Sequence, residues 1–116
     1  VGQFANKLLR EIKVSKAFIG VNGIDGHNVT TANEEEGNGN AIILNNAIEK
    51  YIVADNSKFD SYSFYSFYRL DNIDAIVTDD HISPKVRAKY SSYTKVLWFD
   101  RVVMNVNLRF WKLRIS

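Results

Sequence analysis

The sequence predicts an α/β domain, a partial parallel sheet with flanking helices, and three observations carry that prediction. Short apolar runs recur at residues 17–21, 51–55 and 74–78, as strands buried on both faces require. Each run ends in a polar or glycine-bearing loop: Gly20-Val-Asn-Gly-Ile-Asp-Gly-His-Asn28 after the first, Asn56, Ser57 and Lys58 after the second, Asp79, Asp80 and His81 after the third. The order of segments, strand, helix, strand, short connection, strand, helix, strand, is that of a parallel sheet covered by helices. The 116 residues make one domain with enough apolar content to close a core.

Taken in order, Val1, Phe4, Ala5, Leu8, Leu9 and Ile12 form one helical stripe, with Lys7, Arg10, Glu11 and Lys13 off it, predicting a helix to about Lys13. The chain opens inside this pattern and has Met104 as its single methionine, which is expected of a portion of a longer protein. Residues 16–21 are the first strand and 28–33 a loop. A second helix begins with strong signals, since Thr31-x-x-Glu34 and Asn33-x-x-Glu36 both fit a capping box and Glu34, Glu35 and Glu36 sit where the helix dipole favours acids. Gly37 and Gly39 weaken its interior by about 1 kcal/mol each. Ala41, Leu44, Ala47 and Ile48 give a packing face ending near Lys50. Residues 51–55 and 74–78 are the second and third strands. Pro84 suits the first turn of a helix over 83–90, and residues 94–99 read as a fourth strand. Beyond it, Val102, Met104, Val106, Leu108 and Phe110 alternate with Val103, Asn105, Asn107, Arg109 and Trp111 at strand period, as an edge strand or interface would. Left unpaired, such an edge would favour aggregation.

Several classes of function are excluded. The chain has no cysteine, so it can form neither a disulfide framework nor a thiolate metal site, which is compatible with a reducing compartment. No apolar run approaches the roughly 20 residues that cross a bilayer, and no membrane association is expected. A net charge of +2 is too small for a nucleic-acid surface, although the part from Asp100 onward carries +3 and the rest −1. His27 and His81 have no partners at ligand spacing, so no metal is expected. Neither has a serine in an elbow motif, and nucleophilic catalysis is unsupported. The spacing Gly20-x-x-Gly23-x-x-Gly26 is not the dinucleotide fingerprint, and no cofactor is expected. Tyr62, Phe64, Tyr65, Phe67 and Tyr68 could stack bases, yet only Arg69 accompanies them, which favours core or subunit packing.

In parallel sheets ligands bind beyond the carboxyl ends of the strands, a rule that places Asn22, Asp25, Lys58, Asp79 and Asp80 along one edge. That mixture of amide, carboxylates and ammonium suits a small polyhydroxylated or charged molecule. Structural roles stand beside the ligand roles. Gly23 and Gly26 could simply make a tight turn, Asp25 could cap it, and Lys58 could be a solvated lysine. Asp55, Asp79 and Asp80 read first as caps of turns or following helices.

Four ordered blocks then carry a family resemblance: Lys16-Ala-Phe-Ile-Gly-Val-Asn-Gly-Ile-Asp25, Thr30-Thr-Ala-Asn-Glu-Glu-Glu36, Val53-Ala-Asp-Asn-Ser-Lys-Phe59 and Ile73-Asp-Ala-Ile-Val-Thr-Asp79. In order and spacing they resemble the carboxyl-terminal sensor domain of DeoR-type bacterial repressors, over roughly residues 1–96. The resemblance implies a cytoplasmic, homo-oligomeric transcription factor rather than an enzyme, whose sensor has the ribose-5-phosphate isomerase / CoA-transferase-like fold. It also implies a phosphorylated sugar as effector, tagatose 6-phosphate in lactose-responsive members, and operator DNA as partner through a winged helix-turn-helix. That DNA-binding domain is absent from this chain, as is the Asp-x-Gly-Ser/Thr-Thr phosphate loop of such sensors. Residues 97–116 depart from the usual ending and read as an atypical basic, amphipathic, strand-like tail.

On this reading the effector contacts are Asn22, Gly23, Asp25 and Lys58, with Glu34 and Glu35 secondary. Three glutamates already occupy the one well-marked helix amino terminus, where a phosphate would meet like charge, so the phosphate seat is expected upstream of Val1. Two other classes stay open: a sugar-phosphate isomerase with Asp25 as base and Lys58 stabilising the enediolate, and a module that only oligomerises.

Overall fold

The computed structural model describes residues 13–100. The helix expected over 1–13, apart from Lys13, and the alternating segment 102–111 lie outside the described residues. Strands β1 (Val14–Gly20), β4 (Ala47–Val53), β6 (Ala75–Asp79) and β7 (Lys95–Phe99) form a four-stranded parallel sheet in the order β1-β4-β6-β7. Successive strands are neighbours, and every crossover advances in the same direction. Right-handed connections therefore put all the intervening elements on one face. That face carries a single core in which Ala17, Ile19, Ile52, Ile76 and Val96 from the sheet meet Leu44, Leu70 and Tyr90 from the layer above. β6 lies inside the sheet and is buried at all of its positions, which explains the apolar run Ala75-Ile76-Val77 that opens it. On the opposite face, Phe18 and Tyr51 are register partners and stack with ring centroids 4.9 Å apart, beside buried Val53 and Val77.

The strand positions were legible; a second sheet was not. Residues 28–33, expected as loop, contain β3 (Asn28–Thr31), which pairs antiparallel with β2 (Gly23–Asp25) and then with β5 (Tyr65–Arg69). Asp25-Gly26-His27-Asn28 is a hairpin turn, with Gly26 at φ 58° in the first central position that type II′ turns reserve for glycine. The glycine spacing thus marks a hairpin, and β-branched Val29, Thr30 and Thr31 supply its second strand. β5 comes from the aromatic stretch. Phe67 and Tyr68 pack on the core, whereas Phe64 remains 71% and Tyr62 50% exposed in the loop before it.

The helix α1 (Glu34–Asn45) is shorter than its pattern implied. Of the two candidate capping boxes, Asn33 is the cap, its side chain accepting from the Glu36 N–H at 2.8 Å, while Thr31 Oγ1 donates to the Asn33 carbonyl. The helix stops at Asn45 rather than near Lys50, because Asn46 closes it and the chain enters β4 at once, the Asn46 carbonyl accepting from Val14 N–H at 3.2 Å. Ala47 and Ile48, expected on the helix, belong to β4, and Ile48 points into solvent at 80% exposure. A second helix, α2 (Pro84–Ser91), starts as predicted, with Ser83 capping the Val86 N–H and Pro84 in the first turn.

Both glycines that weaken α1 by propensity are buried, Gly37 against β5. A Cβ on Gly37 would lie 2.6 Å from Tyr65 Cδ2 and 2.9 Å from Phe67 Cβ. Close packing of helix on sheet therefore outweighs helix propensity here. Gly37→Ala is expected to lower stability by about 1–2 kcal/mol, overpacking exceeding the gain of about 1 kcal/mol in helix propensity. Urea unfolding measures this, and a more stable variant would contradict the packing argument.

Candidate functional site

Three loops leave the carboxyl ends of β1, β4 and β6, and one buried acid ties two of them together. Asp79 is 0% exposed, and its carboxylate accepts from Asn56 N–H at 3.0 Å, from Asn56 Nδ2 at 3.1 Å and from His81 N–H at 2.9 Å. It is a brace, as an acid after a strand commonly is, while Asp80 beside it is exposed. Asp55 caps the 3-10 turn Asn56–Lys58, accepting from Ser57 N–H at 2.8 Å and from the Ser57 hydroxyl. Its other oxygen lies 3.8 Å from Lys58 Nζ, whose side chain is partly exposed.

From this braced turn the chain runs alongside the hairpin. Ile24 and Phe59 form an isolated parallel bridge, and Ser61 N–H donates to the Ile24 carbonyl at 3.2 Å. Residues 23–25 and 58–60 thereby lie side by side in a two-segment seam. Gly23 makes it possible, since a Cβ there would sit 2.3 Å from the Ser61 carbonyl oxygen. Gly23 is thus buried under the neighbouring backbone. Asn22 is exposed at the start of the seam, its N–H donating to the Thr30 carbonyl at 3.1 Å. Asp25 is exposed at the end of β2, three residues along, or roughly 10 Å from Asn22 in extended chain. The structure therefore gathers Asn22, Gly23 and Lys58 at the sheet rim and sets Asp25 farther down the same seam, level with Asp60. Glu34 and Glu35 are exposed in the first turn of α1, just after β3.

Sequence reasoning missed the residues that hold the seam. Tyr90, fully buried on α2, places its hydroxyl between the two segments. It donates to Asp60 Oδ1 at 2.7 Å and accepts from Gly26 N–H and Asp60 N–H, each at 3.3 Å, with the Ile24 carbonyl also at 3.3 Å. A phenol has one proton and two acceptor sites, so this hydroxyl is saturated. Burial, then the bond to Asp60, pushes the Tyr90 hydroxyl up to about 12. The neighbouring Lys89 ammonium reaches the same carboxylate oxygen at 2.7 Å. The Lys89 bond, followed by that of Tyr90, holds the Asp60 carboxyl below its ordinary range, and the same bond raises Lys89. The available signal was Tyr90 falling on the inward stripe of α2 four residues after Val86.

At the hairpin tip His27 Nδ1 lies 2.8 Å from Asp71, which also binds Arg69 at 3.1 Å, and the His27 ring packs on Tyr93 with centroids 4.3 Å apart. His27 thus anchors the turn. Among the described residues no group of three or more His, Cys, Asp or Glu could hold a metal ion, and no helix is long and apolar enough to cross a membrane.

The arrangement defines an α/β domain of the kind that offers polar loops at the carboxyl ends of a parallel sheet, here an amide, carboxylates and two ammonium groups along one seam. The sequence model described as the DeoR C terminal sensor domain matches residues 1–80, and the chain belongs to that family. Among curated proteins it is 39% identical over 100 residues to the lactose phosphotransferase system repressor of Lactococcus lactis subsp. lactis, covering 86% of this chain and 39% of the relative. The protein of the same name from Streptococcus mutans serotype c is 35% identical over 97 residues, with 84% and 38% covered. That of Staphylococcus aureus strain NCTC 8325 is 34% identical over 86 residues, with 74% and 34% covered. The chain spans about two-fifths or less of the length of these relatives.

A carboxyl held low stabilises the fold above its unfolded value of about 3.9 and loses that contribution as pH falls through the lower folded value. Asp60 is accordingly expected to give the wild-type chain a loss of melting temperature as pH falls below about 4 that is shallower in Asp60→Asn. Parallel slopes in the two proteins would show that the Lys89–Asp60 pair contributes nothing to stability.

Proposed function

We propose that this chain is the effector-sensing part of a DeoR-type repressor of sugar metabolism, taking a phosphorylated sugar whose binding controls operator occupancy. The observation that carries this reading is the seam, which brings the exposed Asn22 and Asp25 and the partly exposed Lys58 onto two adjoining backbones. Amide and carboxylate suit sugar hydroxyls, and the ammonium suits an anionic or carbonyl oxygen. Gly23 acts by permitting the close approach of those backbones. The relatives' printed name supports a sugar of lactose metabolism, and tagatose 6-phosphate is the effector proposed.

The phosphate requires its own seat. Glu34, Glu35 and Glu36 occupy the first turn of α1 and would repel it there, so Glu34 and Glu35 are assigned to hydroxyl contacts and the phosphate to residues upstream of Val1. In this proposal residues 1–96 are the carboxyl-terminal part of the sensor domain and 97–116 its atypical tail. Leu97, Trp98 and Phe99 nevertheless pair with Val77, Thr78 and Asp79, so the sheet continues into that tail. Operator DNA is reached through a winged helix-turn-helix elsewhere in the repressor, a homo-oligomer working in the cytoplasm. Signalling requires the sugar phosphate to bind one state of the sensor better than the other.

Titration of the isotope-labelled chain with tagatose 6-phosphate, followed by amide NMR shifts, tests the assignment. Shifts centred on Asn22, Gly23, Asp25 and Lys58 with an affinity on the order of millimolar are expected, and Lys58→Met should weaken it several-fold. Shifts confined to other surfaces would overturn the site. Micromolar affinity in this chain alone would overturn the upstream phosphate seat.

A further inference from the structure

We propose that Asp60 is a positioning residue for the effector, fixing where Lys58 stands relative to Asn22 and Asp25. This rests on the effector reading above. Asp60 has φ 57° and is the one non-glycine residue with positive φ among those described. That left-handed conformation disfavours any side chain, although aspartate tolerates it better than most, and it persists where the surroundings over-determine it.

The surroundings are specific to the carboxylate. Oδ1 accepts hydrogen bonds from the Tyr90 hydroxyl and from Lys89 Nζ, both at 2.7 Å, while the Asp60 N–H donates to the same hydroxyl. A glycine would adopt this backbone without strain but could make neither side-chain bond. The position thus carries a carboxylate in a conformation that glycine would adopt more easily, and the side chain is what the site gains.

The geometry gives that side chain a task. Lys58 lies in a short segment fixed at both ends. Before it, Asp55 caps the 3-10 turn; after it, buried Phe59 pairs with Ile24, and Asp60 is anchored to α2. Releasing Asp60 loosens the distal end, so that the segment bearing Lys58 is held to the hairpin by the Ile24–Phe59 bridge and the adjoining Ser61 N–H bond, while the core beneath, including Phe59, is retained.

The test compares wild type, Asp60→Gly and Asp60→Asn in the full chain by tagatose 6-phosphate titration and thermal unfolding. Asp60→Gly relieves backbone strain while removing the anchor, so its melting temperature is expected to change little while the dissociation constant rises about five- to tenfold. Asp60→Asn tolerates the same φ and keeps one acceptor for Tyr90, so an intermediate loss is expected, and it carries the test if the glycine variant does not fold. Affinity unchanged in both variants, or a lowered melting temperature with affinity of the folded protein unchanged, would overturn the positioning role. Wild-type protein that binds no sugar phosphate would instead overturn the effector reading itself and this inference with it.

Discussion

The Tyr90 hydroxyl joins the hairpin turn at Gly26, the segment at Asp60 and helix α2, three parts of the chain that are far apart in sequence and carry the polar groups of the seam. Two parallel segments linked by one isolated bridge have little cohesion of their own, because the bridge contributes far less than a strand ladder. A buried phenol with all its bonding capacity used supplies what the ladder does not. Its ring meets Phe59 edge-on at 5.1 Å, so apolar and polar contacts converge on one residue. The positions of Lys58 and Asp25 follow from this knot, and so does any ligand chemistry assigned to them.

Glycine does the complementary work of bringing surfaces close enough to be fastened. Gly23 lets the 58–61 segment lie against the hairpin, and Gly37 lets β5 press on α1. Both accept a conformational cost in exchange for an approach that a methyl group would block. In the case of Gly23 the approach shapes the seam itself, which explains why this glycine is buried under the neighbouring backbone.

The parallel sheet was legible because β1, β4, β6 and β7 each carry a short apolar run, and β6, inside the sheet, is buried along its whole length. The hairpin was not, since residues 28–31 mix Asn and Thr with a single Val and lack a long apolar run. Their Asp-Gly turn is a local signal that the glycine spacing pointed away from. Helix α1 ended early because Asn45 and Asn46 stop it, while Ala47 and Ile48 continue the helical periodicity by coincidence. At the site, Asn22 and Lys58 lie past the carboxyl ends of β1 and β4, where the sequence placed them, whereas Asp25 ends β2 of the second sheet. Asp60, Lys89 and Tyr90 were not legible, because their roles arise from contacts 29 to 66 residues apart in sequence, which no local pattern records. Asp79 shows the opposite case: an acid after a strand reads first as a cap, and its burial makes it a brace between two loops.

Native-state hydrogen exchange of the Gly26 and Asp60 amides tests the central claim most directly, since both donate to the Tyr90 hydroxyl. If that hydroxyl holds the seam closed, these two amides exchange at rates near those of the buried β6 strand, and Tyr90→Phe brings both close to loop rates while β6 stays protected. Exchange at the rate of an unstructured chain in the wild-type protein would contradict it.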